Sequence, residues 1–377
     1  MDANMDFGLT DEQEALQQLA RQILSDRMTL ERLKAIEATP DVFDRDTWEE
    51  LAKANLLGIA VPEESGGLGY GFLELCVLLA EVGRTVAPVP VLPTLVSAAL
   101  PIAEFGTPEQ QQRWLPGAAS GELVLTAALT ELGTPPEQPT TRACRDGSRW
   151  RLDGVKVNVP AAHLADVVLV PARTDAGEVG VFLVDPAAAG VVLERQETMS
   201  HEPQFRVELD GVMVGEADVL GGFERGGEIL AWIVDRTTVG LCAIASGVTA
   251  EALRLTAEYT TTRKQFDRPI GTFQAVGQRL ADAYIDTEAI NLTMLQAATH
   301  LAEGQAAILE VATAKFWTSE GGSRVVHAAL HVHGGISIDL DFPIHRYFLW
   351  AKVIEFTLGA ATPQLARIGG VLAAEPA

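Results

Sequence analysis

The sequence predicts an α+β fold laid out in three consecutive parts: an N-terminal helical domain, a middle β-domain and a C-terminal helical bundle. Three observations carry this expectation. Apolar residues recur at helical spacing through the first third of the chain. From about residue 124 the hydrophobic period shortens to that of strands. Beyond residue 227, long helical patterns follow one another. The expected domains are 1–123, 124–226 and 227–377.

In the first part, Thr10 and Gln13 have the spacing of a capping box, and Leu16, Leu19 and Ile23 then recur on one helical face. Residues 42–57 and 73–86 read as further helices. Between them the glycine-rich stretch 62–71 could cradle a phosphate, but it lacks the Lys-Ser/Thr of a P-loop and reads as a tight connection. The most apolar stretch, 86–103, is interrupted by Pro88, Pro90, Pro93 and Pro101, so it is no membrane span.

The middle part contains short β-branched runs at 150–159, 167–171, 179–184, 191–195 and 205–209, with Val155, Val157 and Val159 alternating as in a strand with one buried face. The segment 186–190 reads as a loop. In the third part, residues 229–264 form one long helical pattern, with Leu241, Ile244, Val248, Leu253, Leu255 and Tyr259 on or near one face. Helices over 274–300 and 306–331 follow, then a shorter one from residue 351, with the tail 373–377 expected to fray.

Composition bounds the function. The 377 residues are 47% hydrophobic and 21% charged, as in soluble globular proteins. A formal net charge of -23 repels phosphate backbones and anionic lipid, so neither nucleic acid nor a membrane surface is an expected partner. Locally converging arginines could still hold a nucleotide. Cys76, Cys144 and Cys242 are far apart and form no CxxC pair, which argues against a zinc site or a disulfide framework. The first ten residues are acidic and lack a basic-then-apolar leader pattern, and a cytoplasmic location is expected.

Chemistry-bearing motifs cluster late. Arg263 to Gln274 (RKQFDRPIGTFQ) and His331-Val332-His333-Gly334-Gly335 pair an arginine and an amide with two close-approach glycines, a set suited to a bound dinucleotide. Upstream stand Gly106-Thr107-Pro108-Glu109-Gln110-Gln111 and Trp114-Leu115-Pro116; downstream stands Phe342-Pro343-Ile344-His345-Arg346. In this order and at these separations they resemble the acyl-CoA dehydrogenase family along nearly the whole chain. The resemblance implies a middle β-barrel-like domain, a C-terminal four-helix bundle, and FAD held between subunits. It also implies that Arg263, Phe266, Gln274, His331, Gly334 and Gly335 are donated in trans to FAD held mainly by a neighbouring chain.

The half of the site that a chain builds for its own flavin departs from the family pattern. The Thr-Glu-Pro-Gly-like turn reads Thr130-Glu131-Leu132-Gly133-Thr134-Pro135-Pro136. The Lys-x-Trp-Ile-Thr-Asn element reads Lys156-Val157-Asn158-Val159-Pro160-Ala161, and a proline supplies neither hydroxyl nor N–H. The carboxylate that would take the α-proton is also missing: Leu358 stands at one family position for it and Thr237 at the other, with Thr238 where an arginine often helps bind the thioester. Neither Leu358 nor Thr237 can act as a base, so no catalytic residue is assigned. Asp235 and Glu355 lie nearby and could serve only by a displaced backbone.

His327, His331, His333 and His345 are clustered in sequence without a third-ligand pattern, so no metal is assigned, and His331 falls where the family has a glutamine near the flavin. Taken together, the chain resembles the non-catalytic subunit of heteromeric acyl-CoA dehydrogenases of actinobacterial steroid side-chain degradation. That resemblance implies an α2β2 tetramer with two FADs, in which a homologous catalytic subunit binds most of the acyl-CoA. Three other readings stay open: a self-sufficient homotetramer using Asp235 or Glu355, a flavin-free scaffold subunit, and a flavin monooxygenase on the same fold.

Overall fold

The computed structural model describes residues 7–374. Six helical segments come first: α1 (Asp11–Arg27), α2 (Leu30–Glu37), α3 (Arg45–Lys53), α4 (Phe72–Thr85), a π-helical stretch Leu92–Ala99 running into α5 (Leu100–Phe105), and α6 (Pro108–Ser120). Seven strands follow: β1 (Leu125–Ala127), β2 (Arg142–Asp146), β3 (Arg149–Pro160), β4 (Val167–Arg173), β5 (Val179–Val184), β6 (Val191–Gln196) and β7 (Gln204–Gly215). The rest is α7 (Gly226–Thr262), the hairpin β8 (Lys264–Gln265) and β9 (Arg268–Pro269), α8 (Gln274–Ala302), α9 (Ile308–His333), α10 (Ile344–Phe356) and α11 (Ala361–Ala374). The architecture is α+β, as the sequence predicts. Met1 to Asp6 and residues 375–377, on which the leader and fraying expectations partly rest, lie outside the described residues.

The chain forms two compact units, one from residues up to Lys34, Phe72–Ala87 and Thr238 onward, the other from Ala35–Gly71 and Pro88–Thr237. The second unit carries the sheet. β3 and β7 form its long antiparallel centre, β6 flanks β7, and β4 carries β5 on one edge with β1 and the end of β2 in parallel on the other. Among the described residues no ladder joins the end strands, so the sheet is a half-barrel, not a closed barrel. Its apolar face is packed around Trp150, Phe182, Phe205, Val207 and Val212, with Phe223 stacked on Trp150 at 4.3 Å between ring centroids.

Sequence reading missed β1 and β2. β1 is three residues long and fully buried, and β2 is Arg142-Ala-Cys-Arg-Asp, too polar to show a strand pattern. It also missed the helix at 92–105, because prolines there suggested a break. Pro93 instead falls in the first turn, where no N–H is owed to a preceding carbonyl, and Pro101 falls where the π-helical stretch passes into α5. The family-like Gly106–Gln111 stretch is a helix start: Thr107 caps α6, Pro108 is its first residue, and Gln110 completes a capping box. The predicted Thr10–Gln13 box is present on α1. The glycine-rich stretch is a tight connection, where a Cβ on Gly67 would sit 2.0 Å from the Val61 carbonyl oxygen.

The first unit is the helical one. α8 and α9 pack along their lengths, and α10 and α11 both lie against α9. The helix expected from residue 351 is in fact two, α10 and α11, split where Leu358 and Gly359 take φ values of 55° and 94°. The single apolar face expected for α7 is also corrected. From Ile233 to Ala252 nearly every residue is buried, as in a core helix. By length and mean hydropathy this helix could cross a bilayer, but 83% of its apolar window is buried within the protein.

Within this unit α4 and α7 cross at glycines on both sides. A Cβ on Gly83 would lie 2.0 Å from the Ile244 carbonyl oxygen, and one on Gly247 would lie 1.8 Å from that of Ala80. Gly83→Ala and Gly247→Ala are each expected to destabilise the protein by about 1–3 kcal/mol or more, through forced separation of the helices. Gly370→Ala, on α11 where a Cβ meets nothing within 4 Å, is expected to be neutral or to stabilise by up to about 1 kcal/mol. Denaturant midpoints of the three variants check the contrast.

Candidate functional site

The residues expected to reach a neighbouring chain's cofactor all lie in the helical unit, and all are exposed. α7 ends at Thr262, and the β8–β9 hairpin folds back so that the Ile270 N–H donates to the Arg263 carbonyl at 2.8 Å. A two-residue hairpin loop of this kind needs positive φ at both central positions. Phe266 and Asp267 supply it at 53° and 64° although neither is glycine. The tip therefore carries local strain and presents Phe266 with 86% of its surface exposed. The hairpin is tied to the start of α8 by Phe273, which meets the Phe266 ring edge-on and carries the Arg268 guanidinium over its face at 4.1 Å. Gln274 is the first residue of α8.

The far end of α9 supplies the rest. Gly334 caps the helix with φ 64° and ψ -140°, and its N–H donates to the His331 and Leu330 carbonyls. Gly335 needs no left-handed backbone, and a Cβ built there would meet nothing within 4 Å. Its missing side chain thus answers to nothing inside this chain, and leaves the backbone open to close approach by another molecule. His331 sits between this turn and an open groove of about 820 Å³ between α8 and α9, lined by Arg279, Asp282, Asp286, Arg324 and His327. Arg324 grips Asp286 with two hydrogen bonds at 2.5 and 2.8 Å. Arg279, which sequence reading did not single out, donates through Nη1 to His331 Nδ1. A register argument could have found it: Arg279 is near the start of α8 and His331 near the end of its antiparallel neighbour.

In the sheet-bearing unit, the residues that resemble part of a flavin-binding turn face inward. Glu131 is 6% and Lys156 0% exposed, and they form an ion pair at 2.6 Å. Glu131 also accepts from the Thr140 and Thr141 backbone N–H groups and hydroxyls, and Lys156 donates to the Pro171 carbonyl at 2.7 Å. Burial pushes the Glu131 carboxyl up, but Lys156 and the two threonine hydroxyls outweigh it and pull it down to about 2. The loop after Glu131 closes on itself through a bridge to Thr134, with Gly133 at φ 82°. Asn158 lies at φ 53° in a bulge of β3, its N–H donating to Gln196 Oε1, and the Pro160 carbonyl accepts from the Thr126 hydroxyl. These residues do not fit a flavin ring: the retained charges are spent on the fold, and the remaining positions lack the aromatic and the hydroxyl.

The expected base positions are likewise answered by structure. Thr237 is buried and its hydroxyl donates to Ser97 Oγ at 3.0 Å. Thr238, 2% exposed, follows it on α7. Leu358 occupies the turn after α10, and the Gln364 side-chain amide donates to the Leu358 and Gly359 carbonyls at 3.2 and 3.3 Å. Glu355, a candidate displaced base, is held at 2.5 Å by Lys352 one turn earlier on α10. Asp235 is half-buried on α7.

Four histidines close in sequence are separated by their partners. His327, His333 and His345 each place Nδ1 on a backbone carbonyl three or four residues earlier, at 2.7 to 2.8 Å. His333 is also stacked on Tyr259 at 4.4 Å between ring centroids. Among the described residues no group of three or more His, Cys, Asp or Glu side chains converges as metal ligands would. Cys76 and Cys242 are buried thiols, and burial pushes Cys242 up to about 11, which keeps it protonated and unreactive.

Comparison with known proteins identifies the family to which this fold belongs. Residues 10–122 match the profile of the acyl-CoA dehydrogenase N-terminal domain, and residues 224–372 that of the acyl-CoA dehydrogenase C-terminal domain. The chain is 43% identical over 99% of its length to the whole of acyl-CoA dehydrogenase FadE27 of Mycobacterium tuberculosis. It superposes with a TM-score of 0.94 on a chain of the ChsE4-ChsE5 complex from Mycobacterium tuberculosis, at 43% identity, covering 99% of this chain and 100% of that one. With a chain of a variant of the Tcur3481-Tcur3483 steroid ACAD the TM-score is 0.91 at 46% identity, covering 96% and 98% of the two chains.

Removing either member of the Glu131–Lys156 pair strands the other charge in the core. Lys156→Met and Glu131→Gln are each expected to cost about 3–5 kcal/mol, whereas the double replacement costs less than their sum. Because the folded carboxyl titrates near 2 against an ordinary 4.5, its stabilisation is intact above pH 4.5 and is lost as pH falls from there through 2. Denaturant unfolding at pH 7 and at stepwise lower pH measures both.

Proposed function

The chain belongs to the acyl-CoA dehydrogenase family, and from that premise we propose that it is the non-catalytic subunit of a heteromeric member. The complex removes two hydrogens across the α,β bond of an acyl-CoA thioester, and a steroid side-chain CoA is the proposed substrate. The reading rests on one contrast. Arg263, Phe266, Gln274, His331, Gly334 and Gly335 are exposed together in one unit, while Glu131 and Lys156 of the chain's own turn are buried against each other. Likeness to one chain of a two-subunit complex and to a steroid ACAD supports the partner and the substrate class.

In this role Arg263 offers a planar fork of donors to the flavin pyrophosphate, and Gln274 an amide to the adenosine half. Phe266 supplies an apolar contact from the hairpin tip, and Gly334 and Gly335 let backbone approach without a Cβ. FAD, when bound, supplies the acceptor for the β-hydride. The homologous partner supplies the base for the α-proton, the aromatic beside the flavin and most of the acyl-CoA pocket, in an α2β2 tetramer with two FADs. This chain contributes no base: Thr237 and Leu358 cannot take a proton, and Glu355 is engaged by Lys352.

Flavin absorbance tests the reading. Expressed alone, the chain is expected to carry almost no FAD; co-expressed with its partner dehydrogenase, it yields about one FAD per αβ pair, the occupancy of a half-site shared between two chains. Arg263→Ala in the complex is expected to lower retained FAD about tenfold or more, the loss of a charge-assisted contact. One FAD per chain from the protein expressed alone would overturn the proposal and restore the self-sufficient reading.

A further inference from the structure

We propose that Arg279 is a positioning residue that fixes the tautomer of His331, leaving the ring proton on Nε2. The inference starts from a contrast within the histidine cluster. His327 sets Nδ1 against the Ser323 carbonyl at 2.7 Å, and His333 sets Nδ1 against that of Ala329 at 2.8 Å, each four residues back along α9. His345 does the same with Phe342, three residues back, at 2.8 Å. A carbonyl only accepts, so in all three Nδ1 carries a proton, and in the neutral rings of His327 and His333 Nε2 is then an acceptor. His333 shows the consequence, because its Nε2 is buried without a partner. This is the arrangement a helical histidine falls into when nothing else engages Nδ1.

His331 is the exception. Its Nδ1 meets Arg279 Nη1 across the α8–α9 seam. A guanidinium carries donors and no acceptor and stays protonated, so Nδ1 must be the acceptor and the proton of the neutral ring must sit on Nε2. An imidazolium would set two donors against each other. Arg279 has no ion pair of its own among the described residues, although Asp282 and Asp286 line the same groove. Asp286 is taken by Arg324 at 2.5 Å. The guanidinium is therefore available to the imidazole, and His331 presents an N–H donor where the neutral rings of His327 and His333 present a lone pair.

This gives meaning to a substitution within the proposed half-site. A glutamine amide at this position would carry N–H donors whatever its neighbours; a histidine carries one on Nε2 only in the right tautomer. Arg279 supplies that condition. The consequence for cofactor binding rests on the trans-flavin reading above, but the tautomer itself does not.

The test has two arms on the co-expressed complex. With 15N-labelled histidine, the ring-nitrogen shifts of His331, identified by their loss in His331→Gln, are expected to report the Nε2–H tautomer. In Arg279→Ala they are expected to change to Nδ1–H, as the ring turns to the His327 carbonyl four residues back. Retained FAD is the second arm. Arg279→Ala is expected to lower it about three- to tenfold, the scale of one hydrogen bond, but to have almost no effect in the His331→Gln background, where the donor no longer depends on tautomer. An Nδ1–H ring in the unaltered protein, or equal flavin loss from Arg279→Ala in both backgrounds, overturns the proposal. If Arg263→Ala also leaves flavin unchanged, the half-site reading fails, while the nitrogen shifts still decide the role of Arg279.

Discussion

A charge taken out of water must be answered by another charge and by hydrogen bonds, and Glu131 facing Lys156 is where the sheet-bearing unit meets that demand. The pair ties the loop after β1 to the centre of β3, and the Pro171 carbonyl brings β4 into the same network. Thr140 and Thr141 supply four further donors to the carboxylate, two from the backbone and two from hydroxyls. Substituting any one member leaves the others unpaid in a medium that cannot solvate them. Such a network is retained or replaced as a whole, independent of whether a cofactor binds nearby.

That constraint explains which family-like residues remain. Glu131 and Lys156 stand at family-like positions in segments that otherwise depart from the flavin-facing pattern, and both are buried in the fold. Thr107, Pro108 and Gln110 persist because they start α6, and the Gln110 amide also donates to the Ala217 and Val219 carbonyls. By contrast, Asn158 and Pro160 stand where the resemblance places an aromatic and a hydroxyl, groups that neither residue supplies. A motif of this kind mixes residues that answer to the fold with residues that answer to a ligand, so its partial survival is not partial function.

The long helices and five of the seven strands of the half-barrel were readable in the sequence, because burial imposes a period on residues that face a core. What escaped was short or settled by tertiary contact. β1 is three buried residues, and β2 is a polar strand held by pairing to β3. The break between α10 and α11 follows from two left-handed residues, one of them a leucine that gives no warning. Of the site, Arg263, Gln274, His331 and the glycine pair were visible as residue types in order. The inward turn of Glu131 and the contact of Arg279 with His331 were not, since each joins residues far apart in sequence.

The turn at Leu358 is held through its backbone and not through the side chain at its centre. Lys315 is fully buried, and burial pulls it down to about 8, yet its ammonium has no carboxylate within the turn; it donates to the Ile354 and Glu355 carbonyls at the end of α10. Those are the acceptors a helix C-terminus leaves open, and its negative dipole end favours a cation there. Ser319 donates to the Glu355 carbonyl as well, and Gln364 holds the Leu358 and Gly359 carbonyls from the other side. Two carbonyls at the end of α10 and two in the turn are thus fixed around a residue whose side chain can do no acid–base work. The support acts on backbone, so it is indifferent to the side chain at 358. In the non-catalytic role proposed above, a leucine in place of a carboxylate leaves the turn intact.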